Sequence, residues 1–286
     1  MKKIVLLLLC SFIVIIMLPI TVSADMGPKP SVVVDFKGVN GESYYATLLS
    51  SVESTGPFSS IGSNGESMLS KDDEDYDVLL KFATYKDIDG YYFLQYFEEC
   101  TETHQFSWTY YPPQRFKILL YFPQTDQFVV SDNIYERYAF SSYYTAEVSN
   151  ASLIVEESYD YTNETLSLIA RIILTIALEI GVALLFGFHE KRQLRFIFIV
   201  NLITQIALNF ALNFIHYQLG SLMLFIFYFL MEIVIFMVEA IFYTIFLKKY
   251  SPKKVPGWKP VFYALIANAF SFALGIGLFA IIPGMF

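Results

Sequence analysis

Four apolar stretches dominate the C-terminal part of the chain and limit what it can fold into. They cover about residues 164–188, 194–216, 222–247 and 260–282. An α-helix rises about 1.5 Å per residue, so roughly 20 apolar residues cross the hydrocarbon core of a bilayer. Because each stretch reaches that length, the sequence predicts an α-helical membrane protein with four transmembrane helices, in a domain over residues 164–286.

The N-terminal segment predicts a secretory signal peptide. Lys2 and Lys3 precede a continuous apolar run, and small residues stand before Asp25. A basic start, a short apolar core and a small-residue cleavage site are the features of such a signal. We therefore predict a signal peptide over residues 1–24 that is cleaved after Ala24, with an uncleaved anchor as the alternative.

The links between the apolar stretches predict the orientation. Lys191 and Arg192 lie in the first link, and the third link carries several lysines between 248 and 259. The second link and the tail after 283 contain no Lys or Arg. Loops rich in Lys and Arg stay in the cytoplasm. The sequence thus predicts a multi-pass plasma-membrane protein whose N-terminal domain and C-terminus both lie outside.

The segment over residues 25–163 is predicted to be an extracytoplasmic domain with an acidic surface. It has 22 Asp and Glu residues against 8 Lys and Arg residues. Such a surface repels phosphate groups, which excludes nucleic acid as a partner. The expected partners are the lipid bilayer and either another membrane protein or a second copy of the chain.

The pattern of this outer segment predicts an all-β, sandwich-like domain. Aromatic and β-branched residues recur in short runs that are separated by turn residues. The runs predict three hairpins and one further strand: 31–36 with 43–49, 78–85 with 91–97, 116–122 with 127–130, and 135–148. A short helix over 75–82 is the alternative for one run. Cys100 is the only cysteine left after signal removal, so no internal disulfide is expected.

Polar and ionisable residues inside the apolar stretches are the candidate functional residues. The set comprises Arg171, Glu179, Asn201, Gln205, Asn209, Asn213, Glu232 and Glu239. An ionisable group at membrane depth costs at least about 2.5 kcal/mol, so it persists where it pairs, binds a ligand or relays charge.

Four amides recur at every fourth residue of the second stretch, from Asn201 to Asn213. Four residues advance a helix by about 40°, so these amides share one face. Two interpretations stay open: hydrogen bonds between helices, or one wall of a polar pathway.

The three acids share one base. Counting depth from the outer helix ends pairs Glu179 with Glu239 and Arg171 with Glu232. At least one carboxyl is then expected to be protonated, hydrogen-bonded to an amide or bound to a cation. A structural role and a proton or cation site both stay open.

Metal and catalytic motifs are not found. The acidic run over 71–77 departs from a calcium-binding loop because Val78 and Thr84 stand where Gly and Glu are needed. We predict a solvated loop there and a turn over 87–90. The three histidines are far apart, and no catalytic motif occurs. The sequence therefore predicts no metal, no cofactor and no enzymatic activity.

Several segments resemble uncharacterised membrane proteins of Gram-positive bacteria. They are the mature start Asp-Met-Gly-Pro-Lys-Pro at 25–30, the segments 108–113 and 134–138, and the segment 201–205 followed by Glu232 and Glu239. The resemblance implies a bacterial plasma-membrane protein with a four-helix membrane module, and it implies no activity.

Two functional hypotheses follow. The first is a plasma-membrane protein of surface sensing or accessory binding, acting through its acidic extracytoplasmic domain. The alternative is a small oligomeric proton- or cation-coupled transporter or channel-like unit that uses the intramembrane Glu residues.

Overall fold

The computed structural model describes residues 28–39, 41–64, 67, 69–149, 152–252 and 254–281. The predicted signal peptide and the C-terminal tail lie outside the described residues. An N-terminal region of β-sheets ends at Glu157, and the first of three long helices begins at Tyr161.

Twelve strands form the β region, and most of them belong to two sheets. Their bounds are β1 Ser31–Lys37, β2 Tyr45–Ser50, β3 Ser54–Thr55, β4 Phe58–Ser59, β5 Tyr92–Phe93, β6 Glu98–Glu99, β7 Gln105–Trp108, β8 Arg115–Phe122, β9 Gln127–Val130, β10 Tyr135–Glu136, β11 Ser141–Ser149 and β12 Ser152–Glu157. The first sheet has the order β12-β11-β1-β7, with β1 parallel to β11. The second has the order β10-β8-β2-β5, and β6 and β9 pair with β2 and β8. The predicted β region is thereby confirmed.

One hydrophobic core joins the two sheets. Alternate residues of β1 are buried, as expected for a strand with one face on a core. These residues, Val32 and Val34 among them, cluster with Leu48 and Ile118 of the second sheet and with Trp108 of β7. Each large buried side chain contributes about 1.5–3 kcal/mol, so this shared core stabilises the pairing of the two sheets.

A helix covers the outer face of the second sheet. The short helices are α1 (Ile61–Asn64) and α2 (Tyr76–Thr84). Leu79 and Phe82 of α2 lie three residues apart on one helix face and pack against Leu49 and Leu119. The strand predicted over 78–85 is therefore wrong, and the alternative of a short helix is correct.

The hairpin predicted from 31–36 and 43–49 is also wrong. β1 and β2 lie in different sheets, and β1 pairs with β11 and β7 instead. Gly38 turns the chain away with a φ of 78°, and a Cβ there would lie 2.7 Å from the Val148 carbonyl oxygen. The hairpin from 116–122 and 127–130 is confirmed by the antiparallel pairing of β8 with β9. Most of the strand predicted over 135–148 is found in β11.

Within the described residues, three helices are long and apolar enough to cross a membrane. They are α3 (Tyr161–Leu185), α4 (Lys191–Lys249) and α5 (Trp258–Ile281). The second and third predicted stretches both fall within α4. Its helical geometry is interrupted at Gly220, where φ is 78° and ψ is 179°.

The two halves of α4 fold back on each other at Gly220. The Gln193 side chain donates to the Leu247 carbonyl at 3.0 Å, across 54 positions of sequence. The Tyr243 hydroxyl donates to Asn201 Oδ1 at 2.8 Å. In a straight helix these groups would be roughly 60–80 Å apart at 1.5 Å per residue. Gln193 contacts Leu247, and Asn201, further along the first half, contacts Tyr243, which comes earlier in the second half. The two halves therefore run antiparallel.

Candidate functional site

The polar residues that were predicted as functional candidates face the space between the packed helices. Glu179, Asn201 and Glu239 are 0% exposed, and Arg171, Gln205, Asn209 and Glu232 are also buried. Asn213, nearer the Gly220 turn, is half-buried. Apolar side chains of the same helices are exposed, as expected where a protein surface faces hydrocarbon.

Glu239 lies at the centre of this interior and joins three segments. Thr204 Oγ1, on the first half of α4, donates to its Oε1 at 2.8 Å. Asn268 Nδ2, on α5, donates to its Oε2 at 2.8 Å. Asn268 also donates to the Ala264 carbonyl at 2.9 Å, which uses both hydrogens of the amide. Glu239 therefore has one donor on each carboxyl oxygen, an arrangement that suits a carboxylate.

Glu179 lies on α3, close enough to Glu239 for the two carboxyls to interact electrostatically. The Ser271 hydroxyl donates to its Oε1 at 3.0 Å. The Tyr263 hydroxyl donates to its backbone carbonyl at 3.3 Å. Its Oε2 is buried and has no hydrogen-bond partner among the described residues.

The four amides from Asn201 to Asn213 have two different surroundings. Asn201 is held by Tyr243 near the acids, whereas Asn213 accepts from Arg171 Nη2 at 3.2 Å. Asn209 donates to the Gln205 carbonyl of its own helix at 2.8 Å. The structure thus gives these amides hydrogen bonds both between and within helices.

The surroundings of Arg171 differ from the predicted pair with Glu232. Asn213 Oδ1 accepts a hydrogen bond from the guanidinium, and Tyr228 and Glu164 lie near it. The carboxyl of Glu232 lies beside the Tyr228 hydroxyl. Tyr228 thus lies near both Arg171 and Glu232.

Sequence reasoning missed the partners that hold the acids. Thr204, Asn268 and Ser271 bind the carboxyls. Tyr263 binds the backbone carbonyl of Glu179, and Tyr243 binds the neighbouring Asn201. Asn268 and Ser271 gave a usable signal, because they are polar, three residues apart and inside the fourth apolar stretch. The tyrosines gave none, since tyrosine is common at membrane interfaces as well as in interiors.

A second candidate site is a cavity of about 830 Å³ between the β region and the helices. Lys29 and Tyr143 line it from the β region, Tyr159 from the connection to α3, and Glu164 and His216 from the helices. The site therefore has aromatic, basic and acidic groups in its walls.

The same junction holds the β region against the Gly220 turn. The Phe140 amide donates to the Tyr217 carbonyl at 2.8 Å. The Tyr217 ring lies 5.4 Å from the Tyr159 ring and 6.4 Å from the Tyr138 ring. Burial raises the pKa of Tyr138 to about 12, so its hydroxyl is a neutral donor and binds the Tyr143 carbonyl at 2.8 Å.

The acidic segments of the β region have structural partners. Asp75 accepts from the Tyr45 hydroxyl at 3.1 Å, and Asp87 accepts from Lys117 Nζ at 3.0 Å. Asp89 also binds Lys117 Nζ. Over the described part of the chain, no group of three or more His, Cys, Asp or Glu residues is placed to hold a metal ion.

Comparisons of the chain with protein-family models, curated proteins and solved structures gave no significant match. The resemblance to Gram-positive membrane proteins stays a prediction.

Proposed function

We propose that the chain is a multi-pass plasma-membrane protein with four spans and an extracytoplasmic β domain. The antiparallel contacts within α4 support a fourth span, because each half exceeds the roughly 20 residues that a span needs. The lysines between 248 and 259 favour a cytoplasmic link from α4 to α5. The β domain, the Gly220 turn and the C-terminus then lie outside. The bacterial origin rests on the resemblance alone.

Its role in this proposal is surface sensing or accessory binding without enzymatic activity. The observation that carries it is the cavity shared by the β region and the helices. Its volume lies in the range of small-molecule sites, about 300–1,000 Å³. A ligand in this cavity contacts the β region and the helices at once. If two arrangements of these regions bind the ligand with different affinities, binding shifts the equilibrium toward the one with the higher affinity.

The contact that would transmit such a shift is Phe140 on the Gly220 turn. The Phe140 ring occupies the space next to Gly220, where a Cβ would lie 2.6 Å from ring carbons. The backbone hydrogen bond to Tyr217 fixes the same point. The β domain therefore meets α4 where its two halves join.

A small oligomeric proton- or cation-coupled unit is the second candidate function. The buried acids favour it, because Glu179 and Glu239 interact with each other and with amides and hydroxyls. Four spans provide few walls for a pathway, so this function requires an oligomer.

The coupling is tested by replacing Phe140 with alanine in the full-length protein. Trp108 is buried in the β core, and a Trp258→Phe background makes it the only tryptophan. Loss of the half-buried Phe140 ring is expected to destabilise the β region by about 2 kcal/mol and lower its melting temperature by several degrees. Trp108 fluorescence measures this transition. Ile88→Ala, at a side chain 95% exposed, is the control. Equal melting of both variants contradicts the coupling.

A further inference from the structure

Glu179 and Glu239 differ by one hydrogen-bond donor. Each oxygen of Glu239 accepts a hydrogen bond, from Thr204 and Asn268. Glu179 accepts at Oε1 from Ser271, while within the described residues its Oε2 has no partner. Glu179 is 0% exposed, so water cannot supply the missing hydrogen from a surface. A buried acceptor without a donor costs about 1–3 kcal/mol.

The groups around Glu179 do not balance a second negative charge. The titratable groups that face it are Glu232, Glu239, Tyr243 and Tyr263. From the first half of α4 the neutral amide of Asn201 lies beside the Glu179 carboxyl, and its Nδ2 is a buried donor without an acceptor in hydrogen-bond geometry among the described residues. Arg171 is about 12 Å away along α3 at 1.5 Å per residue, where it binds Asn213. Two adjacent carboxylates in an apolar interior repel each other strongly without a cation between them.

We propose that Glu179 is a proton-binding site, which holds one exchangeable proton on Oε2 beside an ionised Glu239. A protonated carboxyl has one O–H donor and one carbonyl acceptor. In Glu179 the carbonyl oxygen is Oε1, which accepts from Ser271, and the hydrogen is on Oε2. Binding the proton converts the carboxylate to the neutral acid and removes one charge from the pair.

A second observation supports a donor at this place. Asn268 uses both amide hydrogens, and its Oδ1 is a buried acceptor that has no donor in the described part of the chain. In the described part of the chain, the buried atoms around the acids that lack a partner are three acceptors, Glu179 Oε2, Glu232 Oε2 and Asn268 Oδ1, and two amide donors, Asn201 Nδ2 and Gln205 Nε2. The acceptors therefore outnumber the donors by one hydrogen. A proton suits this cluster better than a metal ion, because no three His, Cys, Asp or Glu residues in the described part of the chain are placed to hold one. The proton-binding site itself does not depend on the second candidate function. Only a use of this proton in transport rests on that function.

Infrared spectroscopy of the full-length protein in detergent tests the site directly. The Glu232→Gln background removes the third buried acid. In this background we expect the carbonyl band of one protonated carboxyl at neutral pH. Glu179→Gln is expected to remove the band, and Glu239→Gln is expected to keep it. The opposite assignment, no band at neutral pH, or loss of the band on addition of sodium chloride at constant pH overturns the proposal.

Two hydroxyl variants keep the test decisive if Glu179→Gln does not fold. Ser271→Ala removes the donor to the Glu179 carbonyl oxygen, so the band moves to higher frequency. Thr204→Val removes a donor to Glu239 instead, and the band stays in place. A shift in Thr204→Val with none in Ser271→Ala contradicts the assignment. If vesicles that contain the protein show the Glu179 carbonyl band but no proton flux, the proton-binding site is supported and only the transporter function is contradicted.

Discussion

Gly220→Ala is expected to destabilise the protein by about 2–4 kcal/mol, since its φ of 78° and ψ of 179° lie in a region open essentially to glycine alone. The added Cβ would also lie 2.6 Å from the Phe140 ring. Both effects act at the turn between the halves of α4. We expect the melting temperature of the β region, followed by Trp108 fluorescence, to fall by roughly 5–15 °C.

Gly181→Ala is the matched control for this variant. Gly181 also lies in a long helix, but it has helical geometry and no heavy atom within 4 Å of an added Cβ. Alanine favours helix over glycine by about 1 kcal/mol, so this variant should melt at or above the wild-type temperature. Equal melting of the Gly220 and Gly181 variants would contradict a strained turn at Gly220.

Asp87→Ala is expected to cost about 1.5–3 kcal/mol, because it removes the buried one of the two carboxylates that bind Lys117 and leaves only Asp89. The Lys117 side chain is 3% exposed and that of Asp87 is 0% exposed. Asp89 also binds Lys117, but its side chain is 51% exposed. Denaturant unfolding followed by Trp108 fluorescence measures the change. Glu136→Ala breaks an exposed pair with Arg115, and it should cost less than about 1 kcal/mol.

The same ion pair sets the expected pH dependence. Burial lowers the pKa of Lys117, but its hydrogen bonds to Asp89 and Asp87 outweigh burial and hold that pKa above its usual value. A lysine with a raised pKa stabilises the fold at all pH values below its unfolded pKa. This stabilisation should be lost as the pH rises above the usual lysine range, and the loss should be smaller in Asp87→Ala, where only Asp89 still binds Lys117. If Asp87→Ala lowers the free energy of unfolding by the same amount at neutral and at strongly alkaline pH, the ion pair does not set this pH dependence.

The helices were predictable because their apolar length appears directly in the sequence. The interior position of Glu179 and Glu239 followed from the cost of exposing them to lipid. Their partners did not, because Asn268 and Ser271 approach them only after the helices pack. The predicted pairing of Arg171 with Glu232 rested on depth alone, which ignores rotation about each helix axis.

The β region shows a different limit of sequence reasoning. The pairing of β8 with β9 was predictable because a short turn joins them. The pairing of β1 with β11 was not, since the two strands are more than 100 residues apart. The run over 78–85 has apolar residues compatible with both a strand and a short helix. The run forms a helix because Leu79 and Phe82 can then pack together on the outer face of the second sheet, against Leu49 and Leu119.

Labelling of single cysteines with a membrane-impermeant maleimide tests the central claim, which is that α4 crosses the membrane twice. A Cys10→Ser background removes one native thiol. The other gives no labelling background, because Cys100 is buried and burial raises its pKa to about 12. Gln218→Cys lies at the turn and Lys254→Cys lies between α4 and α5, both at exposed positions. In intact cells we expect labelling of Gln218→Cys and labelling of Lys254→Cys only after permeabilisation. Labelling of both variants in intact cells would place the Gly220 turn and the link from α4 to α5 on the same side, so that α4 does not cross twice, and would contradict the account.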